Sequence, residues 1–392
     1  MQTDEKNLNI IFKKILTVLI VSILFCAFCA VICNISAVKN AKYENTFEDF
    51  STKNQENSEK FKFELCASEG RNYVHIGGNP IGIAISADGL IVVDKCAVST
   101  KDGEVFPSAR VDIRKGDVIL SVNGNQTKSV YKLKNILKEA NSPTFLLKVK
   151  RGNATIDVKL NAVKDNFGQY KLGLALKEDV GGVGTMTFVT DDGHFAALGH
   201  RILDAESGLN GELLNQGNIY DTTVSDVVKG EKGKAGGLVA EVNRLSKSTG
   251  EIKGNTNIGL YGMYSGEIKG DLYRIATKGE AKIGRAQVLT TVDGKTPKFY
   301  DIDVVKVISQ SEVAEKGMVI LVRDKELLEK TGGIVQGMSG SPIVQNGILI
   351  GAVTHVFIQD PTRGYAVHSR FMYDYATGVT ANIDVENEQT AA

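Results

Sequence analysis

The chain has no tryptophan, six prolines, five cysteines and five histidines, and its 46 basic residues are balanced by 46 acidic ones. Balanced charge leaves no electrostatic footprint for nucleic acid. So few histidines, with no paired His or Cys spacing, argue against a structural or catalytic metal, and no cofactor is expected. Cys26, Cys29 and Cys33 fall inside one apolar segment. Only Cys66 and Cys96 remain outside it, to pair as a disulfide or to stay as two free thiols. What is plentiful is glycine, 41 of 392 residues, among short apolar runs broken by Gly, Asn and Asp. That texture favours β-structure over helix bundles, and the length suits two or three domains.

Residues 15–33 carry no charge, and the uncharged run continues to Val38. About 20 helical residues span a hydrocarbon core, so residues 1–38 read as a transmembrane anchor. Lys13 and Lys14 precede the run and keep the N-terminus in the cytoplasm, which puts the rest of the chain outside it. A cleaved signal peptide with its site near Ala37 is the competing reading. Residues 39–62 are polar and read as a linker. Residues 387–392 read as a disordered tail.

Residues 63–162 alternate strand signals with one helical stretch, 130–140, that puts Val130, Leu133, Ile136 and Leu137 on one face. From 163 to 386 the chain offers many glycine-punctuated strands, among them 238–242, 256–264, 272–275, 284–290, 300–307 and 319–322, which argues for a barrel or sandwich. Helix is expected at 325–330 and after Ser369.

The chemistry centres on Gly337-Met338-Ser339-Gly340-Ser341-Pro342. Glycines beside a serine allow a tight turn with the hydroxyl exposed, and the amides of Gly337 and Ser339 can converge as an oxyanion hole. A Gly/Ser/Pro turn between strands is the plainer reading. Serine attack needs a base, and His194, His200, His355 and His368 are the histidines available in this region. His200 ends an apolar run after glycine and can project from a strand end, whereas His355 falls where a pocket wall would lie. Asp204, Asp301, Asp303 and Asp324 all compete to orient the base, and spacing does not choose among them.

Several pieces together carry a family resemblance: Phe195 to His200, Asp324 to Leu328, Thr331 to Pro342, and Gly351 to Val356. The chain resembles the SpoIVB peptidases, sporulation signalling serine peptidases. The resemblance implies His200, Asp324 and Ser339 as the catalytic residues, with Gly337 and Ser339 as the oxyanion donors. The order His, Asp, Ser is that of the chymotrypsin-like double β-barrel, and the resemblance implies a mainly β fold in which a PDZ domain precedes that barrel pair, behind the N-terminal transmembrane helix. Met338 stands where digestive relatives carry aspartate, so activation by burying a new N-terminus is not implied.

Residues 63–162 resemble a bacterial PDZ domain, with Gly77, Gly78, Ile81, Gly82 and Ile83 as the loop and strand that would bind a peptide. Implied partners are a membrane-bound regulator of an intramembrane protease that matures a late sigma factor, and the chain itself through self-cleavage. The implied location is the space between forespore and mother cell. A non-catalytic PDZ scaffold and a quality-control protease are the alternatives.

Overall fold

The computed structural model describes residues 72–378, apart from 210, 309, 311 and 312. The expected anchor, linker and C-terminal tail lie outside these residues, as does Cys66. Among the described residues no helix is long and apolar enough to cross a membrane.

Two closed rings of six strands carry the fold. The first runs Pro80–Ser86, Val180–Val189, His194–Ala197, Gly259–Tyr264, Gly250–Thr256, Gln216–Val228 and back to Pro80–Ser86, every pairing antiparallel. Its interior is apolar, with Ile83, Ile85, Phe195, Ile219, Ile252 and Leu260 at most 2% exposed. The second ring runs Gly284–Thr290, Lys298–Val307, Met318–Val322, Asp360–His368, Ile348–Phe357, Pro342–Gln345 and back. Val288, Tyr300, Ile302, Ile320, Ile343 and Val353 fill it. Closure leaves neither ring an open sheet edge.

Two short strands join the rings. Tyr73–Ile76 pairs with Val180–Val189 on one side and with Leu272–Ile275 on the other, and Leu272–Ile275 lies parallel to Ile348–Phe357. Among the described residues three α-helices accompany the strands: α1 (Val130–Lys138), α2 (Lys325–Thr331) and α3 (Ser369–Ala376). Phe371 and Met372 of α3 pack with Val74, Phe188 and Leu349, sealing the joint between the rings.

The sheets do not divide at residue 162. Pro80–Ser86 belongs to the first ring, and the chain leaves that ring after Ser86 and re-enters it at Val180. Six of its seven residues are buried, which requires a partner on each side, and Val180–Val189 and Gln216–Val228 supply them. Between the two points lies a separate antiparallel sheet, ordered Leu174–Lys177, Leu90–Lys95, Val118–Val122, Thr144–Arg151, Ala154–Asn161. α1 packs on it through Leu133 and Leu137. The small domain is therefore an insertion in the first barrel.

Candidate active site

The turn at Ser339 is pinned from both barrels. Met338 is fully buried in the second core. Thr185 of the first barrel donates its amide to Ser339 O (2.9 Å) and its hydroxyl to Gly337 O (2.8 Å), while Thr187 Oγ1 donates to Gly340 O (2.7 Å). Gly340 has φ +93°, and a Cβ there would stand 2.2 Å from Thr185 O, so only glycine fits. The amides of Met338, Gly340 and Ser341 bond to Val335, Val353 and Met338. Those of Gly337 and Ser339 have no hydrogen-bond partner among the described residues. Two free amides flanking one residue of a tight turn can receive a developing negative charge.

The two serines of the turn are not equivalent. Ser341 is fully buried and donates to Thr290 Oγ1 at 2.8 Å. Ser339 lines a cleft of about 600 Å³ together with His200 and His355. Its Oγ donates to Thr354 O at 2.8 Å.

His200 reaches the cleft through a bend that two left-handed residues create, Leu198 (φ +69°) and Gly199 (φ +72°). A Cβ on Gly199 would meet Thr354 Cγ2 at 2.9 Å, so glycine brings this bend against the strand behind Ser339. His200 Nδ1 lies 3.0 Å from Arg201 O. A carbonyl oxygen only accepts, so Nδ1 carries the proton and Nε2 of the neutral ring holds the lone pair a general base needs.

No described hydrogen bond joins His200 to a carboxylate. Asp324, which the resemblance makes the orienting acid, caps α2: its Oδ1 accepts from Leu327 N at 3.0 Å and its Oδ2 from Asp301 N at 3.4 Å. Asp is a preferred cap because it satisfies amides that the first helical turn leaves bare. The other candidates are also engaged elsewhere. Asp204 pairs with Lys177 (2.7 Å), Asp303 with Arg323 (2.9 Å), and Asp301 accepts from Gln287 (3.0 Å). His194 lies 3.6 Å from Asp192, away from the residues that line the cleft.

Sequence reasoning missed two features of the cleft. One is the hairpin of Gln216–Val228 and Gly237–Val242, which crosses to the second barrel. Gln336 N donates to Gly236 O (2.9 Å), Leu238 N to Gln336 O (2.8 Å), and Gly230 N to Thr331 O (2.8 Å). The Leu238 side chain lies 3.0 Å from where a Cβ on Gly337 would sit, so Leu238 walls the turn. The other is the contact between His200 and His355, which the sequence placed only at a pocket wall: the two ring centroids lie 4.9 Å apart. Burial pushes the His355 pKa down, the charges of His200 and Lys316 push the same way, and Glu315 opposes them.

The expected peptide loop does not stand free. Gly77 N donates to Thr187 O (2.9 Å) and Gly78 N to Met186 O (2.8 Å), while Ile81, Gly82 and Ile83 are paired on both sides inside the first barrel. These amides are spent within the barrel and cannot bind a carboxylate. A groove of about 490 Å³ lies elsewhere in the inserted domain, between α1 and residues 170–176, lined by Val130, Leu133, Leu137, Leu172, Leu174 and Leu176. Leu172-Gly173-Leu174 there has the same apolar-Gly-apolar form as Ile81-Gly82-Ile83, from which the peptide loop was expected.

A family model described as SpoIVB peptidase S55 matches residues 168–373. No curated protein matches the chain. Similar solved structures include the HtrA-type protease AlgW with a decapeptide, at 13% identity and TM-score 0.31, covering 55% of each chain. The chain thus spans about half the length of that protease. Another is Rv3671c from M. tuberculosis H37Rv in an inactive mutant form, at 13% identity and TM-score 0.28, covering 51% of this chain and 82% of that one.

Proposed function

The chain belongs to the SpoIVB peptidase S55 family, and from that premise we propose a membrane-tethered serine endopeptidase of sporulation signalling with Ser339 as nucleophile and His200 as base. The observation that carries this assignment is the pair of unbonded amides, Gly337 and Ser339, beside a cleft that holds both side chains. Ser339 rotates off the Thr354 carbonyl and its Oγ attacks the peptide carbonyl carbon as His200 Nε2 takes the hydroxyl proton. The oxyanion rests on the two amides. The C–N bond then breaks, the departing amine takes the proton from His200, and water attacks the acyl-enzyme by the same route. The carbonyl of Arg201 fixes the tautomer, and Asp324 caps α2 without a described hydrogen bond to His200.

The substrate is a membrane-bound regulator whose cleavage releases an intramembrane protease, and the chain also cuts its own N-terminal stretch. The N-terminal anchor holds the peptidase outside the cytoplasm, between forespore and mother cell. The inserted domain is a PDZ domain that docks an extended segment of the substrate. The edge of Leu174–Lys177 away from Leu90–Lys95 has no strand partner among those described and lines the groove against α1, which supports strand addition there. The full chain and the regulator, reconstituted together in vesicles, test the proposal. Release of a regulator fragment by wild type but not by Ser339→Ala is expected, and release by both would overturn it.

A further inference from the structure

His355 has no part in the chemistry above, yet several features tie it to His200. The two rings are in contact, their planes inclined by 41°. The residue before it, Thr354, accepts the Ser339 hydroxyl and abuts Gly199, so His355 sits on the strand against which both reacting groups are set. Its Nδ1 is buried with no hydrogen-bond partner. Leaving a buried polar atom unpaired is costly, and such a group calls for an explanation beyond packing. His200, for its part, is held by one bond to the Arg201 carbonyl and no described carboxylate. One hydrogen bond sets the tautomer but leaves the ring free to swing about it.

We infer that His355 is a positioning residue, a second imidazole that walls the His200 ring and keeps Nε2 turned toward Ser339. The inference rests on the proposed assignment of Ser339 and His200. The charged and titratable groups acting on His355 are His200, Lys316 and Glu315. Burial with the first two keeps it neutral near pH 7, so it does not repel the imidazolium that His200 becomes when it takes the serine proton.

The test uses the detergent-solubilised full chain and a fluorophosphonate, which phosphonylates the serine oxygen as fluoride leaves and the hydroxyl proton passes to the base. Labelling of His355→Ala should be slower by about 10²-fold, and His355→Phe, which restores a ring, should return to within about threefold of wild type. The loss should fall on the rate at saturating probe and leave the half-saturating concentration unchanged, which a general loosening of the fold would not do. If Ala prevents folding, His355→Gln, which lacks the ring, replaces it with the same expectation. Labelling of the ringless variant at the wild-type rate, or of Phe as slowly as the ringless variant, overturns the inference. Ser339→Ala serves as the separate control: any label it takes up refutes the nucleophile assignment itself.

Discussion

Replacing Asp324 separates two accounts of how His200 is oriented. As a cap, Asp324 supplies one acceptor to Leu327 N, and its own carbonyl accepts from Leu328 N at 3.1 Å. Asparagine keeps the acceptor for Leu327 N and loses the long bond from Asp301 N (3.4 Å) together with the charge at the helix start, the latter worth about 0.3–1 kcal/mol. Alanine removes the acceptor and costs about 1 kcal/mol. Neither change approaches the roughly 5–15 kcal/mol that holds a domain folded. Asp324→Asn should therefore keep its labelling rate within about threefold, since no part of the oxyanion or base geometry moves. An orienting carboxylate converted to its amide would instead lose about 10⁴ in rate by stranding the histidine in the wrong tautomer. Fluorophosphonate labelling above pH 7.5, with thermal midpoints measured beside it, distinguishes the two. A loss near 10⁴ in a folded Asp324→Asn would refute the cap account and return Asp324 to the side of His200.

Further changes probe the turn and the buried histidines. Ser341→Ala should still label at Ser339 but lose about 1 kcal/mol of stability with its bond to Thr290, read by urea unfolding. Gly340→Ala forces a Cβ against Thr185 O at a left-handed backbone, so it should lose about 2–3 kcal/mol or fail to fold, read by the yield of soluble chain. Burial lowers the pKa of both His355 and His368 from 6.5. The unfolded chain then binds more protons than the native one, so stability is full above pH 6.5 and falls as the pH drops toward the lowered values. Urea midpoints at pH 8 and pH 5.5 should show the fall, and His368→Gln should lessen it. A midpoint independent of pH would contradict the burial of these rings.

Local chemistry was legible in the sequence where it depends on neighbours along the chain. Leu272–Ile275 and Gly284–Thr290 fall where the apolar runs predict strands, and α2 and α3 begin where expected. Gln216–Val228 was not foreseen because Asn218, Asp221 and Asp226 interrupt the apolar pattern of a strand that pairs on its flanks with distant segments. The insertion was hidden for a related reason. Pro80–Ser86 looks like the entry strand of the domain that follows it, and its true partners lie far along the chain, in Val180–Val189 and Gln216–Val228. The nucleophile turn could be read from its glycines, but the choice among four carboxylates could not, since pairing depends on which strand ends the closed rings bring together. For Asp324 a signal was available: an aspartate immediately before Lys325-Glu326-Leu327 is a helix cap in form.

Mapping the residue that a fluorophosphonate modifies in the full chain tests the central claim most directly. Peptide mass analysis should find the adduct on Ser339 and should lose it entirely in His200→Ala. An adduct on Ser341, or one on Ser339 that forms as fast without His200 as with it, would contradict the account.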